Sequence, residues 1–120
     1  MNFIDPATLQ LVHRALDASA LRHQAIAQNI ANANVEGARA VRVRFEELLG
    51  ALPQSIVSGQ SFKAEDVPVA EVVTDAAAGR IELDAEMAAM SSNSTQYQAL
   101  VRALSKQLGL VSIAVQEGRR

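Results

Sequence analysis

A chain of 120 residues is one domain's worth of polypeptide, and its net charge of −2 excludes a nucleic-acid module of the usual basic kind. At 49% hydrophobic it is no disordered polymer, but aromatics are 3% and much of the apolar count is alanine, so few large side chains are available for a deep core. Without cysteine, a disulfide framework, a thiol nucleophile and a thiolate-held zinc site are all excluded.

Asp5-Pro6 opens the first element. Aspartate is a favoured N-cap, and proline suits the first helical position because its missing N–H would be unpaired there anyway. Leu9, Val12, Leu16, Ser19, His23, Ile26, Ile30 and Ala33 then follow in steps of three and four, with Ser19 and His23 as polar interruptions. That spacing predicts a helix with one seam turned to a partner helix. The helix should end near Asn32, where Asn29, Asn32 and Asn34 cluster ahead of Gly37. Asparagine and glycine tolerate the left-handed conformation that closes helices. Asn29 and Asn32 are expected to cap the helix or to bond a neighbouring backbone.

Val41, Val43 and Phe45 alternate with Arg42 and Arg44, which predicts an extended segment with one apolar and one basic face. With Arg39, these arginines are either a solvated face or a docking strip for acidic groups on a neighbouring subunit. Three arginines without interleaved aromatics are too few for a phosphate backbone. Residues 46–52 form a short helix or continue the extension, and Pro53 ends them. Residues 53–66 read as loop. The stretch 67–73 is β-branched but broken by Pro68, so it is at most an edge strand. Residues 76–79 are a second break.

From Leu83 to about Gln116 a longer helix is expected. Leu83, Met87, Met90, Ser94, Tyr97, Val101, Leu104, Leu108, Val111 and Val115 keep the heptad steps, and only Ser94 is polar. Asp84 and Glu86 place negative charge at the positive end of the helix. Gly109 costs about 1 kcal/mol relative to alanine, which a neighbouring backbone packed close to it, or plain surface tolerance, would explain. The expected fold is mainly all-α. Residues 1–34 and 80–120 form two long helices paired as an antiparallel coiled-coil hairpin, joined by an extended and looping middle over 35–79 with little β structure, all one structural domain. Apolar surface concentrated at both termini suits pairing of those termini with each other or with other copies.

Catalytic and cofactor chemistry is not written here. His13 and His23 are ten apart on a helix, not at the i, i+4 spacing that lets two histidines share a metal. Asn93-Ser94-Thr95 matches a glycosylation sequon, but on a helix it reads as ordinary surface. No phosphate loop or nucleophile motif occurs, so no enzyme, cofactor or metal is expected. Nor is direct membrane insertion, because no run of about 18 apolar residues exists. Residues 1–6 lack a basic region followed by an apolar core, so export would need no cleaved leader.

Two segments go beyond pattern. Asn29-Ile30-Ala31-Asn32-Ala33-Asn34, followed by Gly37, resembles the signature of the bacterial flagellar axial proteins. That signature reads Asn, Ile or Leu, Ala, Asn, two variable residues, Thr-Pro-Gly and an aromatic. Glu82-Leu83-Asp84-Ala85-Glu86-Met87-Ala88-Ala89-Met90, with Asn93, Tyr97, Gln98-Ala99 and Leu104-Ser105, is similar to the family's C-terminal helix, with its glutamate–methionine pair, asparagine and tyrosine. Phe45-Glu46-Glu47-Leu48-Leu49 and the short length point within the family to its proximal rod subunits. The likeness covers about residues 9–50 and 80–117. The family's Thr-Pro is Val35-Glu36 here and its aromatic is Ala38. Thr-Pro stiffens the turn, so its loss predicts a longer helix or a looser exit.

The resemblance implies a structural subunit, exported unfolded by the flagellar type III apparatus into the periplasm, where it polymerises helically with its terminal helices ordering on assembly. It implies as partners further copies of the chain, other rod proteins, and membrane-ring and export-gate components. Subunit-interface candidates on this reading are Leu16, Ile26, Ile30, Met87, Met90, Tyr97, Val101, Leu104 and Leu108 along the seam. Asn29, Asn32, Arg42, Arg44 and Asn93 are the polar ones. Another proximal rod subunit of the family, or a helical-hairpin adaptor or export chaperone that stays in the cytoplasm, would share much of this pattern.

Overall fold

The computed structural model describes residues 5–52, 62–76 and 79–118. In chain order they form α1 (Pro6–Ala31), β1 (Val41–Arg44), the short α2 (Glu46–Gly50), a 3-10 turn (Ala64–Asp66), β2 (Glu71–Thr74) and α3 (Leu83–Gly118). The chain is mostly helical, with one long helix toward each end and a two-stranded sheet between them.

Both ends of α1 follow from local chemistry. Pro6 holds the first helical position and the Asp5 carbonyl accepts from the Leu9 N–H at 2.9 Å. The expected side-chain cap is not made: the exposed Asp5 carboxylate forms no capping hydrogen bond and acts only through the helix dipole. At the other end the Asn32 N–H bonds the Gln28 carbonyl at 3.0 Å, and two tight turns follow, Asn32 to Val35 and Val35 to Ala38. Gly37, at φ +79°, takes the left-handed conformation that glycine adopts without a Cβ clash. The helix therefore ends at Ala31, and Val35-Glu36 lies in the turns beyond it.

β1 and β2 pair antiparallel, from Val41 opposite Thr74 to Arg44 opposite Glu71. Period two turns Val43 and Phe45 inward and leaves Arg42 and Arg44 exposed. One face of α1 packs on this ribbon: Ala18 and Ala25 bury against Val43 and Phe45, with Leu11, Ala15, Leu21 and Leu49 around them. Alanines at i and i+7 let the strand come close. The outer edge of β1 is closed by α1 side chains. Asn29 accepts from the Val41 N–H at 2.7 Å and donates to its carbonyl at 3.0 Å, and Arg22 donates to the Val43 carbonyl at 3.3 Å. Those backbone groups would otherwise form an open sheet edge.

A second face of α1 packs on α3, which runs antiparallel to it: Asn29 meets Glu86, and ten residues earlier Ser19 meets Asn93. At 1.5 Å per residue the 36 residues of α3 span about 54 Å and the 26 of α1 about 39 Å. The longer helix therefore accounts for most of the 65 Å length of the molecule.

The seam on α3 corrects the expected one. The buried or half-buried positions of α3 are Glu86, Ala89, Met90, Asn93, Leu100, Leu104, Val111 and Ala114. Met90, Leu104 and Val111 were expected. Met87, Val101, Leu108 and Val115 were expected too, but they are exposed, and Tyr97 is 43% exposed. Met87 lies about 100° round the helix from Glu86 and Val101 about 60°, while Leu108 and Val115 lie beyond the reach of α1, whose first residue is 13 positions before Ser19.

Candidate subunit interface and the polar network behind it

Four buried polar side chains lie between α1 and α3: Ser19, Asn29, Glu86 and Asn93. Glu86 is only 2% exposed. A carboxylate taken out of water needs a cation and donors around it. Its Oε1 accepts from Arg42 Nη1 at 2.7 Å and its Oε2 from Asn29 Nδ2 at 3.1 Å. Arg42 also approaches Asp75, Nε to Oδ2 at 3.9 Å. Asn29 is the hub, since the amide that closes the edge of β1 also holds the carboxylate of α3. One side chain from each of three elements meets there.

Two turns of α3 further on, Asn93 Nδ2 donates to the Ser19 carbonyl at 2.9 Å, and Ser19 Oγ donates to Asn93 Oδ1 at 3.2 Å. Among the described residues no buried side-chain nitrogen or oxygen lacks a partner. A network satisfied this way specifies one alignment of its helices, because any slip strands several polar groups at once.

The sequence-derived candidates now divide. Ile26, Asn29 and Asn93 are buried at the α1–α3 contact, and Leu16, Ile30, Met90 and Leu104 are half-buried. Asn32 closes α1 through its backbone N–H. Met87 at 57% exposure, Leu108 at 53%, Val101, Leu83 and Val115 are exposed along α3, and Tyr97 joins them at the border of the α1–α3 contact. They form an apolar stripe that α1 does not cover. Beside it, Tyr97 and His23 flank an open groove of about 380 Å³ running past Ser19 and Asn93.

Arg42 and Arg44, expected either as a solvated face or as a docking strip, both find acids in the same chain. Arg42 pairs with Glu86, and Arg44 lies 3.6 Å from Glu71 across the β ribbon. Strand register and the start of α3 put those carboxylates within reach. Arg39 is spent on the Ala76 carbonyl at 2.8 Å.

Glu86 and Ser19 are what sequence reasoning missed. Glu86 passed for helix-start charge and Ser19 for an interruption. The available signal was Glu86 and Asn93 at i and i+7, two polar residues on one helical face with no solvent-exposed reason to align. Asn93 is also buried in this fold, which leaves its sequon no accessible acceptor amide. Comparison with protein-family models finds no match, and comparison with curated proteins finds no relative.

Proposed function

We propose that this chain is a structural subunit of the bacterial flagellar basal body, an FlgB-like protein that polymerises helically into the proximal rod. There it joins the membrane ring and export gate to the distal rod and hook, and passes torque between them. On this reading it reaches the periplasm without a cleaved signal peptide. It works through protein–protein contacts alone, with other copies and with other rod proteins.

One observation carries the reading. Residues of the two motifs meet: Asn29 from the first holds Glu86 from the second, and Asn93 of the second holds Ser19, ten residues ahead of the first motif on the same helix. Motif residues at opposite ends of the chain thus have a shared physical task, fixing the alignment of the two terminal helices. The exposed stripe of Met87, Tyr97, Val101 and Leu108 supports assembly, since it is apolar surface left for a neighbour. In the assembled rod the two helices would supply a coiled-coil pair, with this stripe packed on adjacent subunits.

The test is electron microscopy of hook–basal bodies from a strain lacking the gene, beside its complemented parent. Rings without a rod, restored on complementation, are expected. Intact rods and hooks would favour a cytoplasmic hairpin adaptor or a redundant paralogue.

A further inference from the structure

Helix α3 carries two interleaved heptad stripes that share Met90, Tyr97, Leu104 and Val111 and differ by one residue elsewhere. The outer one has Met87 and Val101 where the inner one has Glu86 and Leu100, and it continues through Leu108. By apolar area alone the outer stripe should face α1, because burying a methionine is favourable and burying a carboxylate is not. The observed helix does the reverse, with Glu86 at 2% exposure and Met87 at 57%.

We propose that the contacts of Glu86 with Arg42 and Asn29, and of Asn93 with Ser19, act as a face selector. They turn the polar side of α3 toward α1 and thereby keep its apolar side outward. A turn of about 50°, half the step between successive residues, would carry the outer stripe into the inner place and break both groups of contacts together. The 2.7 Å Arg42–Glu86 and 3.1 Å Asn29–Glu86 contacts have no substitute on the outer stripe, where Met87 would arrive, and Ser94 is shorter than Asn93. Without the selector the outer stripe takes the inner place, and the chain hides its own apolar surface. Two packings of one helix separated by a few polar contacts make a bistable element. The inference concerns helix pairing within the chain and does not depend on the rod reading.

The chain has no cysteine, so an introduced thiol is the sole one. Met87→Cys and Leu100→Cys are made separately in the full chain, and maleimide labelling is followed in trimethylamine N-oxide, which favours the compact form. With the selector intact the thiol at 87 labels about tenfold faster than the thiol at 100. In a Glu86→Ser, Asn93→Ser background serine reaches none of the partners and adds no apolar surface. The order is then expected to invert, with position 87 slowed and position 100 accelerated, each by about tenfold. An unchanged order overturns the proposal. So does loss of helix by circular dichroism, or equal labelling at both positions, because the outer stripe is claimed to suffice for holding α1.

Discussion

Asn93 holds Ser19 at two points, donating to its carbonyl at 2.9 Å and accepting from its hydroxyl at 3.2 Å. The pair is buried and 74 residues apart in sequence. A buried neutral hydrogen bond contributes about 1 kcal/mol net, and stranding its partner costs more. Asn93→Ala is expected to destabilise by about 1–2 kcal/mol, slightly offset by the better helix propensity of alanine. Ser19→Ala should cost less, and the two losses should be less than additive, because the second substitution finds a partner already gone. Urea denaturation of the two single variants and the double variant measures this. Additive losses would show that the pair is not coupled.

Two arginines two residues apart on β1 should behave differently. Arg42 faces a carboxylate that is 2% exposed, whereas Arg44 and its partner Glu71 are both about half exposed. Removing one partner of a buried pair leaves an uncompensated charge, while an exposed pair contributes about 0–1 kcal/mol. Arg42→Ala should therefore cost about 2 kcal/mol, moderated because the arginine itself is partly solvated, and Arg44→Ala under about 0.5 kcal/mol. Equal shifts of the urea midpoint would contradict the assignment of Glu86 as the buried end of a network.

These two tests bear on the part of the molecule that the sequence left hardest to see. The long helices, the extended Val41–Arg44 segment and the break at Asn32–Gly37 were legible because each follows from local rules: apolar period, alternation and turn chemistry. The Glu71–Thr74 strand was legible only as an edge. Which face of α3 meets α1 is not local. Apolar counting selects Met87 and Val101, whereas the residue found inside is Glu86, whose partners Arg42 and Asn29 lie 44 and 57 residues from it in sequence. No periodicity in α3 encodes the position of Arg42. For the same reason Glu86 read as a dipole residue and the arginines as free for a neighbour.

Gly37 allows a clean test of backbone conformation. Its φ is +79°, and a Cβ built there meets nothing within 4 Å. Any penalty on substitution therefore comes from the left-handed backbone, not from packing. Gly37→Ala should cost about 1 kcal/mol, Gly37→Val more, and Gly37→Asn least, since asparagine visits this region readily. Thermal unfolding of the three variants should return that order. A cost for alanine no greater than for asparagine would show that the turn relaxes to negative φ.

Leu108 and Leu104 separate folding from assembly. Leu104 is half-buried on the side of α3 that faces α1, and Leu108 is 53% exposed on the outer stripe. On the proposed rod reading, Leu104→Asp is expected to allow export and block rod assembly, but it also burdens the fold with a partly buried carboxylate. Leu108→Asp should leave the stability of the free chain within about 0.5 kcal/mol of the parent and still abolish swimming. Normal motility in a Leu108→Asp strain would remove the outer stripe from the assembly surface.

Gly109 carries the last prediction. It sits inside α3, where glycine costs about 1 kcal/mol relative to alanine, and a Cβ at this position meets nothing within 4 Å in the free subunit. Nothing within the chain therefore requires glycine. Gly109→Ala should stabilise the isolated protein by about 1 kcal/mol, read as a higher urea midpoint with an unchanged slope. If the glycine is kept because a neighbouring backbone approaches closely in the rod, the same variant should assemble poorly. A variant that is both more stable and fully motile would assign Gly109 to surface tolerance. A more stable variant with shortened or missing rods would place a subunit contact within one turn of Leu108.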